Sequence, residues 1–177
     1  GILLKSGTEL EADIVVTATG FNMNMMGDIE FQIDGQPLHF NDTVTYRGMM
    51  FSGVPNLAWV FGYFRASWTL RSELVADFVC RLLEHMDANG AQNVTPRLRA
   101  CERDMPQLPW IDDDDFNPNY LQRALDILPK RGTSREWQHT QDYWREKDEF
   151  AAIDLDDEVF DYRWETGTKN IGKTGTG

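Results

Sequence analysis

The clearest hydrophobic pattern lies near the middle of the chain. Residues 57–61 form a short apolar run with the length and aromatic content of a buried strand, and Gly62 ends it. After a loop, apolar residues recur every four positions, at Leu70, Leu74, Phe78, Leu82 and Met86. This spacing predicts an amphipathic helix, capped at Ser67 or Thr69 and ended by Asn89-Gly90.

A strand, a glycine and a helix N-terminus can form a binding place for an anion or an electron-rich ring. Unpaired backbone N–H groups and the positive end of the helix dipole both face the gap above the strand. The same pattern also fits a strand–helix unit that only packs, and spacing alone does not separate the two interpretations.

The first helical turn carries a cation, Arg71, which opposes the helix dipole. We therefore expect a compensating carboxylate, either Glu73 or one from another segment, in preference to a cofactor phosphate.

The N-terminal residues predict strands. Residues 2–4 and 8–11 flank a hairpin turn, and a second hairpin is predicted around Asp34-Gly35. Residues 13–18 are β-branched and apolar, which is typical of a strand buried on both faces of a parallel sheet. That run ends at Thr19-Gly20-Phe21, where small residues allow another backbone or a ligand to approach closely.

The pattern changes after Gly90. We predict a short helix within residues 96–104, a helix from Asn117-Pro118 to Leu128, and another that opens at Thr133 or Ser134. Residues 155–164 are strand-like, and the Gly/Thr/Lys-rich tail from Gly167 is predicted to be disordered.

Composition and net charge exclude some classes of protein and partner. The 177 residues are 41% hydrophobic and 12% aromatic, which fits a folded chain. A net charge of −12 disfavours nucleic acid and anionic lipid as partners, and no run is long enough for a transmembrane segment. Two isolated cysteines, Cys80 and Cys101, predict reduced thiols and a cytoplasmic location. The strand-like start without an initiator Met indicates a fragment.

Few residues are candidates for catalysis or metal binding. The three histidines, His39, His85 and His139, are far apart in sequence, and each is interpreted as structural or exposed. Asp112 to Asp115 reads as a solvated acidic loop without calcium-loop spacing. No glycine-rich phosphate loop, zinc spacing or nucleophile elbow occurs in the sequence. We therefore assign no catalytic residue and no metal ligand.

Several motifs in order resemble one family. They are Thr17-Ala18-Thr19-Gly20-Phe21, Tyr46-Arg47-Gly48-Met49-Met50, Val54-Pro55-Asn56-Leu57-Ala58, Gly62-Tyr63, Ser67-Trp68-Thr69-Leu70-Arg71, Tyr120-Leu121-Gln122-Arg123-Ala124-Leu125 and Leu128-Pro129-Lys130. The series resembles the C-terminal part of class B flavin-dependent monooxygenases, the flavin-containing and Baeyer–Villiger type. It is most similar to the bacterial branch that includes the thioamide-activating monooxygenase.

The resemblance implies an α/β chain: the C-terminal fragment of a flavoprotein with two Rossmann-like dinucleotide-binding domains and a mainly helical C-terminal extension. Residues 1–22 would end the NADPH-binding domain and its return crossing, 23–90 would complete the FAD-binding domain, 91–165 would form the extension, and 166–177 a disordered tail. The missing N-terminal half of the same chain would then be its partner.

The resemblance also implies the chemistry. FAD and NADPH would be the cofactors, and one oxygen atom from O2 would enter a small-molecule ketone, amine or sulfur compound through a C4a-peroxyflavin. The implied cofactor-binding residues are Thr19, Gly20, Phe21, Gly62, Tyr63, Ser67, Trp68, Thr69 and Leu70.

Two alternatives remain at this point. A flavoprotein reductase of the disulfide type shares the strand motif at residues 13–21, but the chain contains no CxxC, and the series Ser67-Trp68-Thr69-Leu70 would be unexplained. The other alternative is a non-enzymatic, acidic interaction domain whose aromatic residues bind a partner protein.

Overall fold

The structure is a computed structural model that describes residues 1–112 and 118–164. Its three α-helices are α1 (Trp68–Asn89), α2 (Asn119–Gln122) and α3 (Tyr143–Ala151). The first six strands are β1 (Ile2–Leu3), β2 (Glu9–Leu10), β3 (Gln32–Ile33), β4 (Gln36–Pro37), β5 (Thr45–Tyr46) and β6 (Met50–Phe51). The other four are β7 (Asn93–Pro96), β8 (Leu108–Pro109), β9 (Lys130–Arg131) and β10 (Phe160–Arg163). Single 3-10 turns lie at Met25–Asp28, Phe40–Asp42, Ala100–Glu102 and Arg135–Trp137.

Helix α1 confirms the strongest prediction. It follows Ser67 and ends at Gly90, whose φ of 68° is the left-handed conformation that stops a helix. Its buried apolar residues are Val75, Phe78, Leu82 and Met86. The predicted cap differs in detail. Ser67 occupies the cap position, but its side chain makes no capping hydrogen bond and lies 2.7 Å from the Thr69 hydroxyl.

The main core forms where α1 packs against α3 and against the antiparallel pair β7–β10. Its fully or nearly buried apolar residues include Val44, Tyr46, Met49, Met50, Phe78, Val94, Trp137, Phe150, Val159 and Phe160. A second cluster joins Phe61 and Trp110 to residues of α2 and the turns after it, including Leu121 and Leu128. The core therefore ties the chain around α1 to its C-terminal part.

The strands form five separate antiparallel pairs among the described residues. Pairs β1–β2 and β3–β4 confirm the two predicted hairpins, with Gly7 and Gly35 at positive φ in their turns. β10 confirms the strand-like character of residues 155–164, although its partner β7 was not predicted. The short helix predicted within residues 96–104 occurs as a single 3-10 turn.

Residues 57–61 do not form the predicted strand. Their contact with β6 is one isolated antiparallel bridge between Met50 and Ala58, together with a hydrogen bond from the Trp59 N–H to the Met49 carbonyl. The side chains of Trp59 and Phe61 instead contact other aromatic rings. An apolar run predicts burial, but a strand also needs a neighbour that pairs along its length.

The prediction of a doubly buried strand at residues 13–18 is also wrong for this structure. No strand is assigned there, and Ile14 and Val16 are each 81% exposed. None of the residues in 1–112 or 118–164 pairs with this run. A parallel strand is held by the backbone hydrogen bonds of its neighbours, so its composition alone cannot form it.

The C-terminal part, predicted to be mainly helical, is mixed. Within residues 91–112 and 118–164, α2 has four residues and α3 has nine, and four strands accompany them. The helix predicted to reach Leu128 ends at Gln122 and continues as turns. The helix predicted from Thr133 or Ser134 is divided, because Gln138 is extended after the 3-10 turn and Gln141 takes a positive φ of 54° before α3 begins. Asn117, Asp113 to Asp115 and the tail from Gly167 lie outside the described residues.

Cys80 and Cys101 are both free and exposed. Within the two described ranges, no group of three His, Cys, Asp or Glu side chains is arranged to hold a metal ion. None of the helices in those ranges has the length and hydropathy that crossing a lipid bilayer requires.

The exposed apolar residues of the N-terminal part predict that the chain associates with itself. Ile14, Val16 and Phe21 are largely exposed, and water contact with such side chains favours association. We expect the 177-residue chain expressed alone to sediment as oligomers, and Ile14→Ser with Val16→Ser to shift it toward the monomer in analytical ultracentrifugation. Leu83→Ser, at an exposed position of α1, is the control. A monomeric parent chain would contradict the expectation.

Candidate functional site

The loop between residues 61 and 68 and the first turn of α1 hold six of the nine predicted cofactor-binding residues. Gly62 and Tyr63 are buried, Leu70 is half-buried, and Ser67, Trp68 and Thr69 are exposed. The structure thus brings a buried turn and an exposed helix N-terminus together. The other three residues, Thr19, Gly20 and Phe21, are exposed on a segment without regular structure, and the Phe21 carbonyl accepts a hydrogen bond of 2.8 Å from Arg123.

Gly62 lies directly against the indole of Trp68. A Cβ atom built on Gly62 would come within 2.3 Å of Trp68 Cγ and Cδ2. The indole also contacts the ring of Phe61, with centroids 5.3 Å apart, while 55% of the Trp68 residue stays exposed. Any side chain at Gly62 would therefore displace an aromatic plane that faces solvent at the start of α1.

The N-terminus of α1 is not neutralised by its own residues. The Ser67 side chain does not cap it, and the first turn contains no acidic residue. The 22 residues of α1 align their peptide dipoles, so its first N–H groups present partial positive charge to an acceptor outside the helix.

The cation in that first turn points into the protein. Arg71 is completely buried: Nη2 donates to the Arg47 carbonyl at 2.7 Å and Nη1 to the Phe61 carbonyl at 3.2 Å. Nε lies 3.2 Å from Oε2 of Glu146, close enough for an ion pair but out of line for a hydrogen bond. This confirms the predicted carboxylate partner from another segment. Burial lowers the pKa of Arg71, and the negative charge of Glu146 opposes that shift.

Glu146 of α3 also binds Tyr63. The Tyr63 hydroxyl donates to Oε2 of Glu146 at 2.7 Å, and the Thr140 N–H donates to Oε1 at 3.0 Å. Burial, together with this hydrogen bond to a carboxylate, raises the pKa of Tyr63 far above its ordinary value, so the phenol stays neutral. One carboxylate therefore connects α1, the loop and the segment before α3.

Two residues from that segment, His139 and Gln141, complete the cluster. Gln141 Oε1 accepts from the Phe64 N–H at 2.9 Å, and its Nε2 donates to the Gly62 carbonyl at 3.3 Å. The His139 ring stacks on Trp110 with centroids 4.0 Å apart. Burial, then the nearby charge of Arg71, lowers the pKa of His139 to about 3, so the ring is neutral near pH 7.

Sequence reasoning did not find Glu146, Gln141, His139 or Trp110 as parts of this cluster. The one usable signal was the unfavourable position of Arg71, which required a carboxylate without identifying it. His139 was interpreted only as structural or exposed; it is half-buried, and its ring packs against Trp110.

A separate groove of about 620 Å³ runs between α1 and α3. Leu74, Phe78 and Phe150 form its apolar part, and charged residues such as Glu73 and Lys147 surround it. It carries side chains of both charges and does not include the loop before α1.

Comparison with known proteins supports a flavoprotein class. The chain is 47% identical to the FAD-containing monooxygenase EthA of Mycolicibacterium smegmatis over 144 residues, which are 81% of this chain and 28% of that protein. It is 44% identical to EthA of Mycobacterium tuberculosis over 158 residues, 89% of this chain and 31% of the relative. No protein-family model and no solved structure matches it.

The chain is therefore homologous to FAD-containing monooxygenases, and the resemblance inferred from its motifs is confirmed. A third relative is named putative FAD-containing monooxygenase MymA, from M. tuberculosis, at 42% identity over 91% of this chain and 31% of its own length. The chain thus spans less than a third of each of these relatives.

Proposed function

We propose that this chain is part of an FAD- and NADPH-dependent monooxygenase that inserts one oxygen atom from O2 into a small organic ketone, amine or sulfur compound. The named relatives support the flavin and the oxygenase class. They do not favour the disulfide-type reductase or the interaction domain. As the sequence resemblance implies, reduced flavin would be the group that activates O2 when it is bound.

The uncapped N-terminus of α1, where the exposed Trp68 ring lies against buried Gly62, is the observation that carries the flavin assignment. The backbone N–H groups of residues 68–70 would donate to flavin carbonyl oxygens, and the helix dipole would favour negative charge on the reduced ring. Ser67, Thr69 and Leu70 would line the same place, and the hydrogen bond from Tyr63 to Glu146 would hold the loop beside it.

The remaining assignments follow from the same resemblance. We propose that Thr19, Gly20 and Phe21 belong to the end of an NADPH-binding domain at residues 1–22, that residues 23–90 complete the FAD-binding domain, and that residues 91–165 extend it. The exposed, free thiols of Cys80 and Cys101 fit a reducing compartment, so we propose a cytoplasmic location.

The flavin assignment is tested at Gly62 in the full-length protein. We expect Gly62→Val to lower the FAD content of the purified protein by about tenfold while helix content stays near that of the parent, because the new side chain displaces Trp68 from the start of α1. FAD absorbance per protein and circular dichroism at the helix band give the two quantities.

Ala88→Val is the matched control, because it adds similar bulk at an exposed position near the other end of α1. We expect it to retain flavin. If Gly62→Val retains stoichiometric FAD, the assignment of this loop to the cofactor is wrong.

A further inference from the structure

The turn from Gly62 to Phe64 is held by one side-chain amide from a distant part of the chain. Gln141 accepts a hydrogen bond from the Phe64 N–H and donates one to the Gly62 carbonyl, so it bonds both ends of the turn. The two segments are 77 to 79 residues apart in sequence. A single amide is suited to this because it offers a donor and an acceptor side by side.

The orientation of that amide is determined by its other neighbour. The Trp110 carbonyl can only accept, so His139 Nε2, at 2.8 Å, must carry the proton that it donates. In the neutral ring, Nδ1 is then an acceptor, and it faces Gln141 Nε2 at 3.4 Å. The NH2 group of Gln141 therefore lies toward His139 and the Gly62 carbonyl, and its oxygen lies toward the Phe64 N–H.

The backbone of Gln141 is held in a costly conformation. Its φ of 54° is in the left-handed region, which a glutamine rarely adopts. The preceding residue, Thr140, donates both its N–H and its hydroxyl to Oε1 of Glu146, at 3.0 and 3.3 Å. A strained residue persists where its surroundings over-determine it, and such positions concentrate at functional sites.

We propose that Gln141 is a positioning residue for the flavin site. Oriented by His139, it holds the turn at residues 62–64 so that Gly62 keeps Trp68 and the first N–H groups of α1 in the geometry that receives FAD. Gln141 does not touch the cofactor. It acts through the turn, and the inference rests on the proposed flavin role of the loop before α1.

The test uses the full-length protein, stripped of flavin and titrated with FAD. We expect Gln141→Leu to raise the Kd for FAD by about tenfold, because two hydrogen bonds to the turn are lost. Gln141→Glu adds a second measurement, the pH dependence of the Kd for FAD, which a merely structural role of Gln141 would not change. Its protonated carboxyl has a donor and an acceptor like the amide, whereas its carboxylate faces the Gly62 carbonyl with acceptors only.

Because burial and the facing Gly62 carbonyl raise the pKa of the new carboxyl above the ordinary value of about 4.3, the Kd of Gln141→Glu should approach the parent value at pH 5. It should rise toward that of Gln141→Leu at pH 8, each compared with the parent at the same pH. His139, Arg71, Glu146 and Tyr63 are the titratable groups of this cluster, and they are present in all the variants. Gln138→Leu is the matched control, because its amide donates to the Thr133 carbonyl, away from the turn.

The outcomes separate the two proposals. A raised Kd in Gln141→Leu with the pH-dependent recovery in Gln141→Glu supports the positioning role. A Kd within twofold of the parent in Gln141→Leu, while Gly62→Val loses flavin, overturns that role and leaves the loop assigned to FAD. An equal, pH-independent loss in both Gln141 variants overturns it as well, since it indicates general damage. Unchanged flavin binding in Gly62→Val and Gln141→Leu alike overturns both proposals.

Discussion

Replacing Glu146 by leucine is expected to lower the free energy of unfolding by about 3–5 kcal/mol. Glu146 and Arg71 are both almost fully buried, and their ion pair is shielded from water. Removal of the carboxylate leaves the guanidinium with two carbonyl acceptors and no counter-charge, while Tyr63 and Thr140 lose their acceptor. Removing one partner of a buried ion pair is strongly destabilising, because it leaves the other charge buried and unpaired.

The measurement is urea unfolding of the full-length protein followed by circular dichroism. Asp148→Leu, an exposed carboxylate on the same helix, should change the free energy of unfolding by about 0.5 kcal/mol or less. The double variant Arg71→Met with Glu146→Leu should recover part of the loss, because it removes the charge that was left unpaired. A loss below 1 kcal/mol in Glu146→Leu would mean that Arg71 does not depend on this carboxylate.

The second large effect is expected for Gly48→Ala, which should lower the free energy of unfolding by about 3 kcal/mol. Gly48 has a φ of 63°, which costs a residue with a Cβ about 1–2 kcal/mol. A Cβ there would also lie 2.9 Å from Arg71 Nη2 and from His139 Cβ, and 3.0 Å from Trp110 Cη2. None of these neighbours is free to move away, because each is held within the buried cluster, and overpacking adds about 1–3 kcal/mol.

Gly53→Ala separates the two costs. Gly53 has a similar φ of 77°, but a Cβ at this position meets nothing within 4 Å. It should therefore show only the backbone cost of about 1–2 kcal/mol. If the same urea titration gives equal losses of unfolding free energy in the two variants, the contacts around Gly48 do not contribute to the cost of the added Cβ.

Features that depend on neighbouring residues in the sequence were predictable. The four-residue spacing of apolar side chains defined α1, and Asn89-Gly90 defined its end, because both depend on local backbone geometry. The hairpins β1–β2 and β3–β4 were predictable for the same reason, since each turn brings its own strands together.

Pairings between distant segments were not predictable in the same way. Residues 13–18 and 57–61 have the composition of strands, but a strand exists only where another backbone supplies its hydrogen bonds. β7 shows the opposite case: a short run that was not predicted as a strand becomes one because it pairs with β10, about 65 residues away. The segment after Ser134 is likewise divided, at extended Gln138 and at Gln141 with its positive φ, beside a hydrogen bond from Thr140 to Glu146 of α3.

The sequence by itself determined the helix α1, its glycine end, the family resemblance and the need of Arg71 for a carboxylate. Only the tertiary structure decided that Glu146 is that carboxylate, that His139 packs against Trp110, and that Gln141 bonds the turn at residues 62–64. The reason is physical. Periodicity and turn chemistry report on residues within a few positions of one another, whereas the Tyr63–Glu146 hydrogen bond joins groups 83 residues apart, which the packing of distant segments around α1 brings together.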